Sequence, residues 1–176
     1  MLARYNPFAT DRVERLLTFQ PEWSGTTWEE LEKKWVSQNY RATITGRHGT
    51  GKTCFLNTWA TRLRHASKQA PIRIFLNTEQ PKVTDSQWEN LAHSQGKTII
   101  LDGEEQLGLH ARMKFYRLTK NASSVLVTRH SQGKLPTLIH FNPDIHMLHK
   151  CIKKLAPDHY QQLSPQLPTL LSLIHI

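Results

Sequence analysis

The eight residues Gly46-Arg47-His48-Gly49-Thr50-Gly51-Lys52-Thr53 constrain this chain more than any other stretch. Glycine, four unrestricted positions, then Gly-Lys-Thr is a pattern that chance supplies in under roughly one chain in a hundred of this length. Its surroundings add to the constraint. The β-prone run Arg41-Ala42-Thr43-Ile44-Thr45 precedes it, and Phe55, Leu56, Trp59, Ala60 and Leu63 repeat at helical spacing after it. A strand entering a glycine-rich turn that opens a helix is the context in which such a turn binds phosphate. Glycines permit positive φ, so successive N–H groups can point inward at an anion, and the helix start adds its positive partial charge. In this pattern Lys52 reaches the β- and γ-phosphates of a nucleotide and the Thr53 hydroxyl ligates Mg2+, with Gly46 to Thr53 as the cradle.

The rest of the chain alternates. Ile72-Arg73-Ile74-Phe75-Leu76 reads as a strand, Ser86 to Ala92 as a helix, and Thr98-Ile99-Ile100-Leu101 as a continuous apolar strand. A helix is predicted from about Glu105 to Leu118, with Leu109, Met113 and Tyr116 facing inward and His110, Lys114 and Arg117 facing out. Strands follow at Ser124 to Thr128 and Leu138 to Phe141. Asn142 then caps a helix with Pro143 and Asp144 in its first turn and Ile145, Leu148, Ile152 and Leu155 on its apolar side. Ahead of the loop, Thr10 and Asp11 start a short helix through Val13, Leu16 and Leu17. Thr27 and Glu30 form a capping box for a second, whose Trp28, Leu31 and Trp35 make an aromatic stripe read as core rather than as a base-stacking surface. Alternating strands and helices predict an α/β fold with a mostly parallel sheet.

Thr98 to Leu101 ends in Asp102, an acid at a strand tip about fifty residues after the loop, with a separate strand between. On the glycine-rich loop and this Walker B-like strand, the chain resembles the P-loop NTPase superfamily from about Tyr40 to Phe141. The intervening strand resembles that of the additional-strand branch, which includes AAA+ and RecA-like ATPases. The resemblance implies a three-layer α/β P-loop NTPase fold with flanking helices, ATP and Mg2+ as ligands, and Asp102 holding the metal with Thr53. That branch places a glutamate directly after the Asp to polarise the attacking water, and here Gly103 stands there instead. Glu104 and Glu105 are the favoured replacements, and Glu79, after the second strand, is the third candidate. Thr128 matches the sensor-1 position, with Arg129 and His130 facing either phosphate or a neighbouring subunit.

Function beyond the nucleotide rests on charge. Residues 106 to 176 hold 9 Lys/Arg against Asp144 and Asp158 alone, within a chain of net charge +9. Such a surplus points to polyanionic or acidic partners, with duplex DNA first, a protein client second, and oligomerisation open. Cys54 and Cys151 are too few for a disulfide framework, no 18-residue apolar run exists, and the first residues carry acids without an apolar stretch. A cytoplasmic protein away from membranes is expected. No Cys/His spacing matches a zinc site, no G-x-S-x-G elbow occurs, and no Asn-Lys-x-Asp motif reads guanine.

The expected organisation is an N-terminal helical extension over 1–39, the P-loop NTPase core over 40–156 and a linker over 157–170. Residues 171–176, Leu-Ser-Leu-Ile-His-Ile, resemble the in-frame translation of a transposon end used in sequencing libraries, so the natural chain is expected to continue past about Leu170. ATP hydrolysis driving a conformational or assembly change in a partner is the leading expectation. The rivals are a nucleotide-binding switch or scaffold with little hydrolysis and a P-loop kinase acting on a small molecule.

Overall fold

The structure, a computed structural model, describes residues 16–67, 69–142 and 145–168 of the 176. Residues 10–15 of the helix predicted from Thr10 through Leu17, the cap positions Pro143 and Asp144, and the tail 171–176 lie outside the described residues. The chain divides into two compact units: one is Thr26–Phe141, and the other comprises the segments before and after it.

The larger unit opens with helix α1, Trp28–Ser37, whose capping box forms as the sequence predicts. The Thr27 hydroxyl accepts from Glu30 N at 3.2 Å while Glu30 Oε2 accepts from Thr27 N at 3.0 Å. The aromatic stripe is core. Trp35 and Leu31 are buried, and Trp28 stacks on Phe55 with ring centroids 6.3 Å apart. Phe55 in turn stacks on Trp59 at 5.3 Å.

Five strands follow: β1 Arg41–Gly46, β2 Ile72–Phe75, β3 Thr98–Asp102, β4 Ser124–Arg129 and β5 Thr137–Phe141. All pairings are parallel, in the order β2-β3-β4-β1-β5. Parallel strands need long crossovers; here α2 (Lys52–Ser67), α3 (Asp85–Ala92) and α4 (Leu109–Leu118) lie in them. A sheet covered on both faces buries its central strands completely, and residues 42–46 of β1 and 124–128 of β4 are all buried. The result is the three-layer α/β P-loop fold. The chain leaves β1 for the far edge and returns through β3 and β4 before crossing to β5. Strand order therefore reverses around β1, which opens a crevice at the carboxyl ends of the strands.

Two expectations about the stretch after β3 need correction. The helix predicted from Glu105 is broken: Glu104–Gln106 is a single 3-10 turn, Leu107 is extended, and α4 begins at Leu109 with Gly108 before it. Its inward face also differs. Leu109 and Met113 are 68% and 63% exposed, and Phe115 is the helix's buried anchor. Phe115 joins a cluster with Ile74, Leu91, Leu101 and Val127, against which Ala111, Tyr116 and Leu118 pack. A one-residue shift of phase explains the difference, because each helical residue advances about 100° and Phe115 is bulky enough to set the rotation.

In the smaller unit, Pro21–Ser24 forms a 3-10 turn closed by Gly25, and helix α5 spans Ile145–Leu155. Ile152 and Leu155 are buried, Lys153 and Lys154 sit in its last turn, and Lys154 Nζ lies 5.7 Å from the Trp23 ring centroid. His149 Nδ1 and the Tyr160 hydroxyl are hydrogen-bonded at 2.8 Å. Among the described residues no helix is long and apolar enough to cross a membrane.

Candidate functional site

A cavity of about 510 Å3 lies at the carboxyl ends of β1 to β4, within the larger unit. Register explains why its walls meet. Thr45 pairs with Arg129, Leu101 with Val127 and Phe75 with Asp102, so four strands end at one level. The loop after β1 forms the floor with His48, Gly49, Thr50, Gly51, Lys52 and Thr53.

Lys52 is the first residue of α2 and is 9% exposed. Its Nζ donates to Gly46 O at 2.6 Å and to Arg47 O at 2.7 Å, so the ammonium is folded over the mouth of its own loop. Burial holds it below the usual ammonium range, against the opposing pull of Glu105 and Asp102. Gly46 and Arg47 therefore contribute carbonyls to Lys52 and do not line the cavity. A side chain at Gly46, whose φ is 152°, would strike Phe141 Cβ and O at 2.8 Å, so only glycine lets the loop leave β1 beside β5.

Asp102 ends β3 and is 4% exposed. The Thr53 hydroxyl donates to its Oδ2 at 2.9 Å and the Thr128 hydroxyl to its Oδ1 at 2.6 Å. Thr128 Oγ1 also accepts from Gly103 N at 2.8 Å. Three strand or helix ends are thus tied at one carboxylate. Hard oxygen donors from an Asp and a Thr are the set that Mg2+ takes while keeping most of its water. Thr53 and Asp102 fit that ion.

Gly103 is where the resemblance predicted a glutamate and the sequence departs. Its φ is 94°, and a Cβ there would collide with the Leu76 carbonyl oxygen. A glutamate cannot occupy this backbone. The chain turns at Gly103, and the two glutamates that follow are sorted to opposite fates.

Glu104 is fully buried and absent from the cavity wall. Its Oε1 accepts from the Tyr116 hydroxyl at 3.0 Å and lies 3.3 Å from Arg112 Nε and 3.4 Å from Arg129. Tyr116 is pushed far above the usual phenol range, by burial first and then by the charge and hydrogen bond of Glu104, so it stays a donor. This carboxylate is a structural anchor that ties α4 to β4. Arg129 accordingly turns inward to Glu104.

Glu105 does line the cavity. Its Oε1 lies 2.9 Å from His130 Nε2, and its Oε2 is buried with no partner among the described residues. His130 also packs edge-on against His48, with centroids 3.9 Å apart. The His130 ring is held below the usual imidazole range, by burial first. His48 and Lys52 act in the same direction, and Glu105 opposes them.

Glu79 is not on the wall. Asn77 Oδ1 accepts from Glu79 N at 3.0 Å and Gln80 N at 2.6 Å, a local turn that places Asn77 and Thr78 on the cavity instead. Phe75, Leu76, Asn77, Thr78, Gln106 and His130 complete the lining. Apart from His130, the sequence alone does not mark these residues as part of the site. The signal lay in β2, since residues just past the carboxyl end of any strand in a parallel sheet face the same crevice.

No protein-family model matches the chain, and neither does any curated protein. Among solved structures it is similar to the Aeropyrum pernix ORC1 protein in complex with DNA, at TM-score 0.56 and 16% identity over 86% of this chain and 53% of that one. It is also similar to Caenorhabditis elegans PCH-2, at TM-score 0.49 and 16% identity over 88% and 51%. The chain spans about half the length of each. Likeness at this identity establishes the fold.

Proposed function

We propose that this chain binds Mg-ATP in the cavity above the Gly46–Thr53 loop and hydrolyses it, as an ATPase of the additional-strand, AAA+-like kind. The observation that carries the reading is Asp102 held between the Thr53 and Thr128 hydroxyls, with Lys52 and Glu105 on the same cavity. The loop N–H groups and Lys52 bind the phosphates, Lys52 exchanging its two carbonyl partners for phosphate oxygens. Thr53 and Asp102 hold Mg2+, which when bound neutralises charge on the β- and γ-phosphates. Glu105 takes a proton from water as that water's oxygen bonds the γ-phosphorus. The bond from γ-phosphorus to the bridging oxygen breaks, leaving ADP and inorganic phosphate. In this reading Thr128, at the position that resembles sensor 1, contacts the γ-phosphate or the water. The protein's contribution is positioning and electrostatics.

Hydrolysis then drives a change in a partner, and duplex DNA is the first candidate. Lys114, Arg117 and Lys120 are exposed in the basic half of the chain. The ORC1 protein of similar fold is seen in a complex with DNA. Phosphate release from Mg-ATP is measured with and without duplex DNA, for the parent and Lys52→Ala. Release that needs Lys52 and rises with DNA supports the reading, with a salt dependence expected of phosphate contacts. Release indifferent to DNA keeps the ATPase and moves the search to protein clients. Tight ATP binding without release favours a nucleotide-dependent switch.

A further inference from the structure

Glu105 stands on a single 3-10 turn between Gly103 and the extended Leu107. A carboxylate on so short a support has several rotamers open to it, and a base works only when held within reach of the proton it takes. Two rings restrict it here. His130 Nε2 lies 2.9 Å from Glu105 Oε1, while His48, from the phosphate-binding loop itself, packs edge-on against the His130 ring with centroids 3.9 Å apart at 70°. Glu105 lines the cavity, and its second carboxylate oxygen, Oε2, is buried without a hydrogen bond among the described residues, as is His130 Nε2.

We propose that His130 is the positioning residue for Glu105: its contact with Oε1 restricts the carboxylate at the cavity wall, and it is itself braced by His48. The inference rests on the reading of Glu105 as the base. It accounts for how a glutamate three residues past Asp102 can serve where the backbone forbids one directly after it, because the displaced carboxylate gains a side-chain anchor. His130 Nε2 meets Oε1 as a close contact at 2.9 Å and not as a hydrogen bond. The charged or titratable groups facing it are Glu105, His48 and Lys52, of which only Glu105 favours its protonation. Below the ring's lowered midpoint it charges, and the ion pair with Glu105 then lowers that carboxylate's basicity.

The test compares the parent with Glu105→Gln, His130→Ala, His130→Gln and the double variant Glu105→Gln/His130→Ala. Three quantities are read: phosphate release from about pH 5.5 to about pH 9, nucleotide affinity, and the titration midpoint of the His130 Cε1 proton by NMR. His130→Ala should slow kcat by about ten- to a hundredfold at unchanged affinity. His130→Gln, which keeps a polar side chain against Oε1 but cannot titrate, should recover most of that rate and lose the acid limb of the profile. The double variant should be no slower than Glu105→Gln alone. Replacing Glu105 by Gln should move the His130 midpoint further down.

A parent-like rate in His130→Ala beside an inactive Glu105→Gln overturns the positioning role and leaves Glu105 as the base. Losses that multiply in the double variant, or a His130 midpoint that Glu105→Gln does not move, overturn it equally. A parent-like rate in Glu105→Gln overturns the reading beneath it.

Discussion

The Thr53 hydroxyl donates to Asp102 Oδ2 at 2.9 Å, joining the first turn of α2 to the tip of β3 across 49 positions of sequence. With Thr128 donating to the other oxygen at 2.6 Å, Asp102 spends both faces on hydroxyl donors, so its charge is aimed but not neutralised. Asn in its place keeps the shape and loses the charge that holds a divalent cation. Asp102→Asn is expected to bind nucleotide without Mg2+ as the parent does, to lose the gain in affinity that Mg2+ brings, and to hydrolyse at least about a hundredfold more slowly. Fluorescent-nucleotide titrations with and without Mg2+, beside phosphate release, check all three.

Gly103 makes a different demand, because its constraint is backbone against backbone. At φ 94° an alanine is strained, and its methyl would collide with the Leu76 carbonyl oxygen, which accepts no rotamer change as relief. Leu76 is itself fixed, since its N–H donates to Asp102 O at 2.8 Å. Gly103→Ala should therefore destabilise the fold by more than about 2 kcal/mol. Urea unfolding of the two proteins measures it, and a midpoint within error of the parent would show that the β2–β3 ends can part without cost.

Glu104 and Glu105 are neighbours in sequence with separable roles. Glu104→Gln keeps the acceptor for Tyr116 and removes the charge that Arg112 and Arg129 share, leaving two guanidinium groups beside a buried amide. Breaking a buried pair by removing one partner costs about 3 kcal/mol. The expected outcome is a lower urea midpoint with hydrolysis per folded molecule within about twofold of the parent. An inactive but fully stable Glu104→Gln would reverse the two assignments.

Most of this site was legible because its parts are local. The Gly46–Thr53 spacing, the apolar run into Asp102 and the capping box at Thr27 each depend on residues within a few positions of one another. What was not legible depends on strand order and helix phase. Nothing in the pair Glu104-Glu105 says which one faces the crevice; that is decided by the αL turn at Gly103 and by Arg112 and Arg129, which arrive from α4 and β4. The meeting of His48 with His130 likewise needs β1 and β4 to be neighbours, which pattern alone does not specify. In α4 the periodicity supported two phases, and Phe115, hidden between them, won because the core accepts its ring and leaves Leu109 and Met113 outside.

That phase has its own consequence. If Leu109 and Met113 were core, replacing both by Gln would remove several kcal/mol of burial and unfold a domain of ordinary stability. Exposed as they are, Leu109→Gln/Met113→Gln should shift the unfolding free energy by no more than about 0.5 kcal/mol, whereas Phe115→Ala should cost about 3 to 5 kcal/mol. Parallel thermal melts distinguish the two phases directly.

The last prediction concerns pH and follows from the depressed His130. Burial first, with help from His48 and Lys52, keeps the folded ring below its ordinary value despite Glu105. The folded protein then binds fewer protons at this site than the unfolded chain does, so stability rises with pH. The contribution is present in full above the ordinary histidine value of about 6.5. It is lost as pH falls from there through the lower value of the folded state. The other histidines also titrate in this window, so the difference between parent and His130→Gln isolates the effect. Relative to its own stability at neutral pH, the variant should lose less than the parent on acidification, and the two curves should run parallel above neutrality. Urea midpoints at a series of pH values provide the comparison. Curves that stay parallel into acid would mean that His130 titrates in the folded protein as it does in the unfolded chain, and that Glu105 offsets its burial completely.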